Sequence, residues 1–224
     1  MVARKGSGVS TGNPIAESVG QPEAPSLVSR ALRDSGMAFL EIKVPFRNSG
    51  ITKVVQDDAF GVLLQLRAEN DFDFYVDGKH VKPHGYRGGD IGIIDLRANV
   101  ASDTRDPYHA VDFYLPRRAL LAMGEDGDIE RGIQELRQPL AHSTQDPVVR
   151  HLLLAMRPAL AAAPEQVPEL FVDHVATALA VHLARTYGGG AEPRQSAGGL
   201  SPWQALHSEP SVQPSSSQSL KPPG

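Results

Sequence analysis

Three histidines and an aspartate in the middle of the chain, His80, His84, Asp90 and His109, are the residues best suited to bind a metal ion. A protein metal site needs three or four side chains that converge on one ion. His80 and His84 lie four residues apart around Pro83, and in a strand or turn this spacing does not direct both rings to one point. The spacing therefore predicts polar residues at a turn, with no bound metal or cofactor.

His109 also lies between two acids, Asp106 and Asp112, which suits a general base. Such a base needs a nucleophile within hydrogen-bond reach, and the spacing offers none. Ser102 and Thr104 are predicted to lie in a polar loop, without the glycine-flanked turn of a nucleophilic serine or a glycine motif for phosphate. The sequence therefore predicts no catalytic residues and no enzyme.

Two other pairs of residues, two histidines and two arginines, carry side chains that could bind a ligand, but their positions do not favour a binding site. His174 and His182 lie eight residues apart on a predicted helix, which separates them by about 80° around its axis. We interpret both as boundary residues of a packed or dimer-forming face. Arg117 and Arg118 begin another predicted helix, where they either face an anionic effector or, as we expect, are solvated.

The composition is that of a globular protein with room for one ordinary domain. Of its 224 residues 41% are hydrophobic and 21% are charged, and the net charge of −4 gives no basic field for nucleic acid or an anionic membrane. No apolar run approaches the roughly 20 residues of a membrane span, and none follows Arg4 and Lys5 as in a secretory signal. The absence of cysteine excludes disulfides and thiolate chemistry. We expect a cytoplasmic protein without membrane contact.

Short apolar runs separated by turn signals occupy the chain after residue 36. They predict strands over residues 39–44, 60–66, 72–76, 91–96 and 110–115, after a short helix over residues 27–35 that ends at Gly36. The turn pair Asp77 and Gly78 closes the third strand. Such strands predict an antiparallel sandwich or small barrel.

The hydrophobic period then changes from two to 3.6 residues. We predict helices over residues 117–123, from Asp146 onward with a bend or end at Pro158, and over residues 168–187. Strands followed by about three helices indicate an α+β protein. The apolar stripe of the last helix either covers the β-structure or pairs with a second copy, and the sequence leaves both open. The candidate dimer residues are Phe171, Val175, Ala178, Leu179 and His182.

Composition also divides the chain into segments. Residues 1–25 are small and polar and predict a disordered lead, residues 26–115 the β domain, and residues 116–187 its helical part. Residues 188–203 read as a glycine-rich linker and the stub of another domain, and residues 204–224 as a disordered tail.

Two segments carry a family pattern. Residues 171–187 read FVDHVATALAVHLARTY, and GGLSPWQ follows the linker at residues 198–204. They resemble AraC-type (AraC/XylS) transcriptional regulators, in which the sensor domain ends in a His-Leu-x-x-x-Tyr-like helix and a Gly-Gly-Leu-x-Pro-Trp-like run opens the DNA-binding domain. FYLPRRAL at residues 113–120 looks like the strand-to-helix passage of their sensor domains, and residues 85–96 fit their cupin-like barrel. The resemblance covers roughly residues 37–203.

The resemblance implies a cupin-like β-barrel or sandwich plus helices that binds a small-molecule effector or dimerises. Such a domain governs a C-terminal pair of helix-turn-helix units that contact DNA. Residues 204–224 contain only Lys221 and His207 as basic side chains, so we expect a truncated regulator that does not bind DNA alone. The expected partners are an effector and a homodimer or a mixed dimer with an intact relative. The alternatives are a small cupin-type metalloenzyme and a nonfunctional remnant.

Overall fold

The computed structural model describes residues 23–44, 50–127, 129, 133, 135–137 and 143–189. Most of the predicted lead, the linker beyond residue 189 and the whole predicted tail lie outside these residues. The described strands are β1 Ser26–Val28, β2 Ala38–Val44, β3 Thr52–Lys53, β4 Ala59–Gln65, β5 Phe72–Val76, β6 Lys79–Val81, β7 Ile91–Asp95, β8 Val100–Thr104 and β9 Tyr108–Pro116. The helices are α1 Ala31–Asp34, α2 Arg117–Asp126, α3 Pro147–Ala161 and α4 Glu169–Tyr187, with a 3₁₀ turn at Pro164–Gln166.

The strands form two antiparallel sheets. Five strands pair in the order β1-β2-β9-β4-β7, and four pair in the order β3-β8-β5-β6. The three longer helices follow the strands along the chain. The predicted α+β class and antiparallel sandwich are therefore confirmed, and the described strands form two sheets without closing into one barrel.

Strand β9 lies in the middle of the five-stranded sheet, and its alternate residues face opposite layers. Phe113 lies opposite Phe39 and Val62 in the register, and its ring centroid is 4.9 Å from that of Phe39. Asp112, one residue earlier, lies opposite Leu63 and points to the other side of the sheet. The sheet thus has one apolar face, and a second face that contains acids.

The apolar face packs against the helices in the main hydrophobic core. Phe113, Leu120 and Leu179 are all fully buried there. Burying one such side chain stabilises the fold by about 1.5–3 kcal/mol relative to exposure. The second face turns toward the four-stranded sheet, with smaller apolar clusters around Leu40 and Phe74.

The helix boundaries agree with their local signals except at one glycine, Gly124, and one proline, Pro158. Asp146 caps α3, because its Oδ1 accepts hydrogen bonds from the backbone N–H of Val148 at 2.9 Å and of Val149 at 3.1 Å. The predicted end of α2 after residue 123 is wrong, since the helix passes through Gly124 to Asp126 and is capped by Gly127, whose φ is 85°. Pro158 does not end α3, which reaches Ala161.

The predicted helix over residues 27–35 is largely wrong. Ser26–Val28 is a strand that pairs with Ala38, Phe39 and Leu40 of β2, and only Ala31–Asp34 is helical. Pairing with a buried neighbouring strand overrides the weak local helix preference here.

The segment after β1 is attached to the last helix through one carboxylate. Asp173 Oδ1 accepts hydrogen bonds from Ser29 Oγ at 2.7 Å and from the backbone N–H groups of Arg30 at 2.8 Å and Ala31 at 3.2 Å.

None of the helices among the described residues is long and apolar enough to cross a bilayer.

Candidate ligand-binding cavity

A cavity of about 130 Å³ lies between the inner faces of the two sheets. Apolar side chains from both sheets line most of it, among them Ile42 of β2, Leu63 of β4 and Phe74 of β5. The volume suffices for several waters or one small organic molecule. A mostly apolar lining with a few polar groups is typical of small-molecule sites.

Three buried polar side chains of the lining come from different places in the fold. Gln65 ends β4, Asp112 lies in the middle of β9, and Glu69 follows β4 in a loop. All three are buried, with exposed fractions of 1%, 4% and 4% respectively. Glu69 is positioned by two backbone hydrogen bonds with Tyr86, of 2.9 and 2.8 Å.

Two oxygen atoms in this group have no partner within the described part of the chain. Gln65 donates through Nε2 to Glu69 Oε2 at 2.8 Å, which leaves Gln65 Oε1 unpaired. Asp112 Oδ1 is also buried without a donor. A buried acceptor without a donor is unfavourable, so both atoms point to a missing hydrogen-bond partner.

The cavity changes the acidity of its two most buried carboxyl groups. Burial raises the pKa of Glu69 to about 7, and the charge of Asp106 adds to this. Hydrogen bonds from Thr104 and Gln65 oppose the rise. Burial alone raises the pKa of Asp112 to about 7. Near neutral pH both groups therefore exist in protonated and ionised forms, and each can donate or accept a hydrogen bond.

Tyr86 forms part of the wall beside these acids. Its ring stacks on Phe72 with centroids 5.9 Å apart. Burial, followed by the charges of Glu69 and Asp90, raises the pKa of the Tyr86 hydroxyl to about 12. The hydroxyl therefore stays protonated near neutral pH.

The histidines considered for a metal site are spread over the surface. His80 Nε2 lies 3.0 Å from Asp73 Oδ1, while His84 and Asp90 line a separate polar depression. Asp90 accepts a hydrogen bond from the backbone N–H of Arg87 at 2.9 Å. Within the described residues, no three histidine or acidic side chains come together as a metal ion requires.

The structure separates His109 from the acids that flank it in sequence. His109 Nε2 lies 2.8 Å from Glu41 Oε1, which also accepts from Arg157 Nη2 at 2.9 Å. Asp106 lines the cavity and accepts hydrogen bonds from two backbone N–H groups, and Asp112 lies deeper in the same cavity. The structure therefore does not assemble the general base considered from sequence.

The arginine pair that the sequence analysis expected to be solvated is engaged within the protein. Arg117 is 4% exposed, lies 4.0 Å from the ring centroid of Phe60 and forms ion pairs with Asp58, Asp95 and Glu135. Arg118 Nε donates to the backbone carbonyl of Ser35 at 2.6 Å. The prediction that both arginines are solvated is therefore wrong for Arg117, because three acidic side chains and one aromatic ring surround its guanidinium group.

The candidate dimer residues lie on both sides of α4. Val175 and Leu179 are buried in the core of the chain itself, while Phe171 is 39% exposed and Ala178 is exposed. His182 Nε2 lies 2.7 Å from Asp146 Oδ2. Of the five candidate dimer residues, only Phe171 and Ala178 are therefore exposed on the surface of α4.

Glu69 and Gln65 were not considered from sequence, and Asp112 was considered only as a neighbour of His109. The available signal was a polar residue inside an otherwise apolar strand, at Gln65 and at Asp112. Reading it required the strand register, because a shift of one residue moves each side chain to the other face.

No protein-family model matches the chain, and no curated protein sequence matches it. Among solved structures, the AraC-like transcriptional activator CuxR matches with a TM-score of 0.40 and 14% identity, over 70% of this chain and 55% of that one. A cupin protein from Bacteroides fragilis matches with a TM-score of 0.27 and 12% identity, over 40% of this chain and 80% of that one. Ectoine synthase from P. lautus matches with a TM-score of 0.30 and 12% identity, over 52% of this chain and 78% of that one. All three TM-scores lie below 0.5, and the three proteins include both a regulator and an enzyme.

Proposed function

We propose that the chain is the effector-sensing and dimerisation domain of an AraC-type transcriptional regulator, with DNA contact made through a separate C-terminal domain. The observation that carries the proposal is the cavity between the sheets, with Gln65, Glu69 and Asp112 buried in its wall. The resemblance of residues 171–203 to the end of such sensor domains supports the same assignment.

The first test is binding by the full chain. A small-molecule library is screened by thermal shift and hits are confirmed by calorimetry, in parallel with the variant Ser102→Phe, which places a bulky ring in the cavity wall. Binding that disappears in Ser102→Phe supports an effector site in the cavity. Ligands that bind equally well to both proteins would place the binding elsewhere and contradict the proposal.

The second test concerns self-association through the outer face of α4. Phe171 and Ala178 lie seven residues apart and share this face with His174. Phe171→Glu puts a charge into the proposed dimer contact and should lower the association constant in sedimentation experiments by tenfold or more, on the order of a lost hot-spot side chain. Glu165→Gln, at an exposed position outside α4, is the matched control. Equal association of Phe171→Glu and wild type would remove this face from the proposal.

In this proposal the chain also forms mixed dimers with an intact relative. Co-expression with such a relative should reduce the occupancy of its operator in a gel-shift assay. Unchanged occupancy in an excess of this chain would contradict the mixed-dimer part alone.

A further inference from the structure

The lining of the cavity contains two buried acids and, among its described residues, no basic side chain. Glu69 and Asp112 both line it, and none of the described lining residues is a lysine, arginine or histidine. Like charges repel strongly where water is scarce, so ionised acids in this lining disfavour a carboxylate or phosphate ligand. A cationic ligand is favoured for the same reason.

Two buried acceptors are available to such a ligand. Gln65 Oε1 and Asp112 Oδ1 have no donor among the described residues, and both side chains are more than nine-tenths buried. A ligand that donates hydrogen bonds to them removes the unfavourable state of an unpaired buried acceptor.

The strand register brings the two acceptors to one side of the sheet. Asp112 lies opposite Leu63 and Gln65 lies opposite Ala110, so Gln65 and Asp112 are diagonal neighbours on the cavity face of β4 and β9. Diagonal neighbours have a backbone spacing of roughly 7–8 Å, which one donor group between the two side chains can bridge.

Apart from Gln65, the acids and the hydroxyl-bearing residues Thr52, Tyr86, Ser102, Thr104 and Tyr108, the lining is apolar. Phe72, Phe74, Ile94 and Leu96 lie around the same cavity and suit an uncharged hydrocarbon or aromatic body. We propose that the cavity binds a small molecule with an apolar body and a protonated amine, and that the amine donates to Asp112 and Gln65. This inference rests on the proposed function and names the chemical class of its effector.

An amine fits the lining better than a hydroxyl group does. A hydroxyl donates one hydrogen bond and leaves the acidic charge unbalanced, whereas an ammonium group donates up to three and balances the charge. The ionised form of Asp112 is then stabilised by the ligand.

The experiment compares ligands that share a body and differ in one group. Benzylamine, benzyl alcohol and benzoate, and the corresponding cyclohexyl compounds, are titrated into the full chain by calorimetry near pH 8, and ligand-observed NMR detects weak binding. The amines should bind at least about tenfold more tightly than the alcohols, and the carboxylates should not bind.

Two variants connect the preference to the proposed residues. Asp112→Asn should weaken amine binding about tenfold or more, the loss typical of a charged hydrogen bond, and should change alcohol binding by less than about twofold. Gln65→Met should cause a smaller loss for the amines. Glu165→Gln removes an exposed acid and should leave all affinities unchanged.

A pH titration of the wild type provides the same information without a substitution. Amine affinity should fall between about pH 8 and pH 5.5 as Asp112 becomes protonated, while alcohol affinity stays constant. The other titratable groups that face the cavity are Glu69, Asp106, Tyr86 and Tyr108. Glu69 acts in the same direction as Asp112, and burial keeps the pKa of both tyrosines above this range.

The outcomes separate the ligand class from the site. Alcohols or carboxylates that bind as tightly as the amines, in a way that Ser102→Phe abolishes, overturn the amine class and leave the cavity as an effector site. An unchanged amine affinity in Asp112→Asn also overturns the amine class and leaves the cavity as an effector site. If no member of either series binds, the amine class is wrong and the library screen decides on the cavity. If all members bind equally to wild type and Ser102→Phe, the cavity is not the effector site and both proposals are wrong.

Discussion

The hydroxyl oxygen of Tyr86 lies 2.7 Å from the place that a β-carbon on Gly92 would occupy. Gly92 lies in β7 opposite Leu63 of β4, and therefore on the cavity face of the sheet. Real β-carbons do not approach another atom so closely. The missing side chain at Gly92 thus gives the Tyr86 hydroxyl its place in the cavity wall.

Replacing this glycine should disturb the wall. Gly92→Ala forces the Tyr86 ring to shift and should lower the free energy of unfolding by about 1–3 kcal/mol, the range for overpacking a filled site. Urea denaturation measures the change. Gly88→Ala is the matched control, because its new β-carbon would lie 3.5 Å from the Leu66 carbonyl oxygen, an ordinary contact. Equal losses in both variants would show that the Tyr86 contact is not the cause.

Asp112 should make the protein less stable as the pH rises. Burial raises its pKa from the ordinary 3.8 to about 7, so the folded state holds a proton that the unfolded state releases. Its contribution is fully present below about pH 4 and is lost as the pH rises through about 7. Asp112→Asn removes this dependence and should stabilise the protein at pH 8 by about 1–4 kcal/mol relative to wild type.

Denaturant titrations of wild type and Asp112→Asn at several pH values measure this difference. Glu165→Gln serves as the control, and its stability should follow that of wild type at every pH. A constant difference between Asp112→Asn and wild type from pH 4 to pH 8 would show that the carboxyl does not titrate as the structure indicates.

Asp146 connects two helices of the helical layer, α3 and α4. Its Oδ1 caps α3, and its Oδ2 accepts from His182 at 2.7 Å and from the Tyr187 hydroxyl at 2.9 Å. Asp146→Ala removes the cap and leaves both donors without their acceptor, so unfolding should become easier by about 2–4 kcal/mol. Thermal denaturation measures the effect, and Asp146→Asn, which can still cap the helix, should lose less. A loss below about 0.5 kcal/mol in Asp146→Ala would contradict this role.

The pH dependence of the same residue has the opposite sign to that of Asp112. Burial tends to raise the pKa of Asp146, but hydrogen bonds from His182, the Val149 N–H and Tyr187 outweigh it and lower the pKa. The stabilisation is therefore present above the ordinary pKa of 3.8 and is lost as the pH falls through the lower value of the folded state.

Asp173 holds the segment after β1 against α4. Asp173→Ala removes the acceptor of Ser29 Oγ and of two backbone N–H groups, and should cost about 1–3 kcal/mol. Hydrogen exchange should accelerate in residues 26–34. Glu169→Gln is the control, since the Glu169–Arg30 ion pair is 72% and 69% exposed and contributes little. Unchanged exchange in Asp173→Ala would show that the segment is held by β1 alone.

Elements with strong local signals were predictable from the sequence. The Asp146–Pro147 pair predicts the start of α3, and the Asp77–Gly78 pair predicts the turn after β5, where φ is 50° and 76°. The loop predicted at Ser102 and Thr104 is wrong, since both belong to β8. This strand was not predictable, because its sequence VASDT is short, contains three polar residues and depends on pairing with β3 and β5.

The cavity was less accessible to sequence reasoning than the elements around it. Gln65 and Asp112 meet only through the pairing of β4 with β9, which joins residues nearly fifty positions apart. Glu69 is positioned by a backbone pair with Tyr86 outside the named strands. Neither contact has a local signature, so the chemistry of the site appears only once the register is known.

One strand, β9, is shared by the cavity and the helical core. Asp112 faces the cavity, while its neighbours Val111 and Phe113 are buried against the helices. Adjacent residues of a strand are joined by a rigid peptide unit, so a displacement of Asp112 also moves Val111 and Phe113. A molecule that displaced Asp112 would therefore shift the residues packed against the helices without any hinge, because a single peptide bond joins Asp112 to each of them.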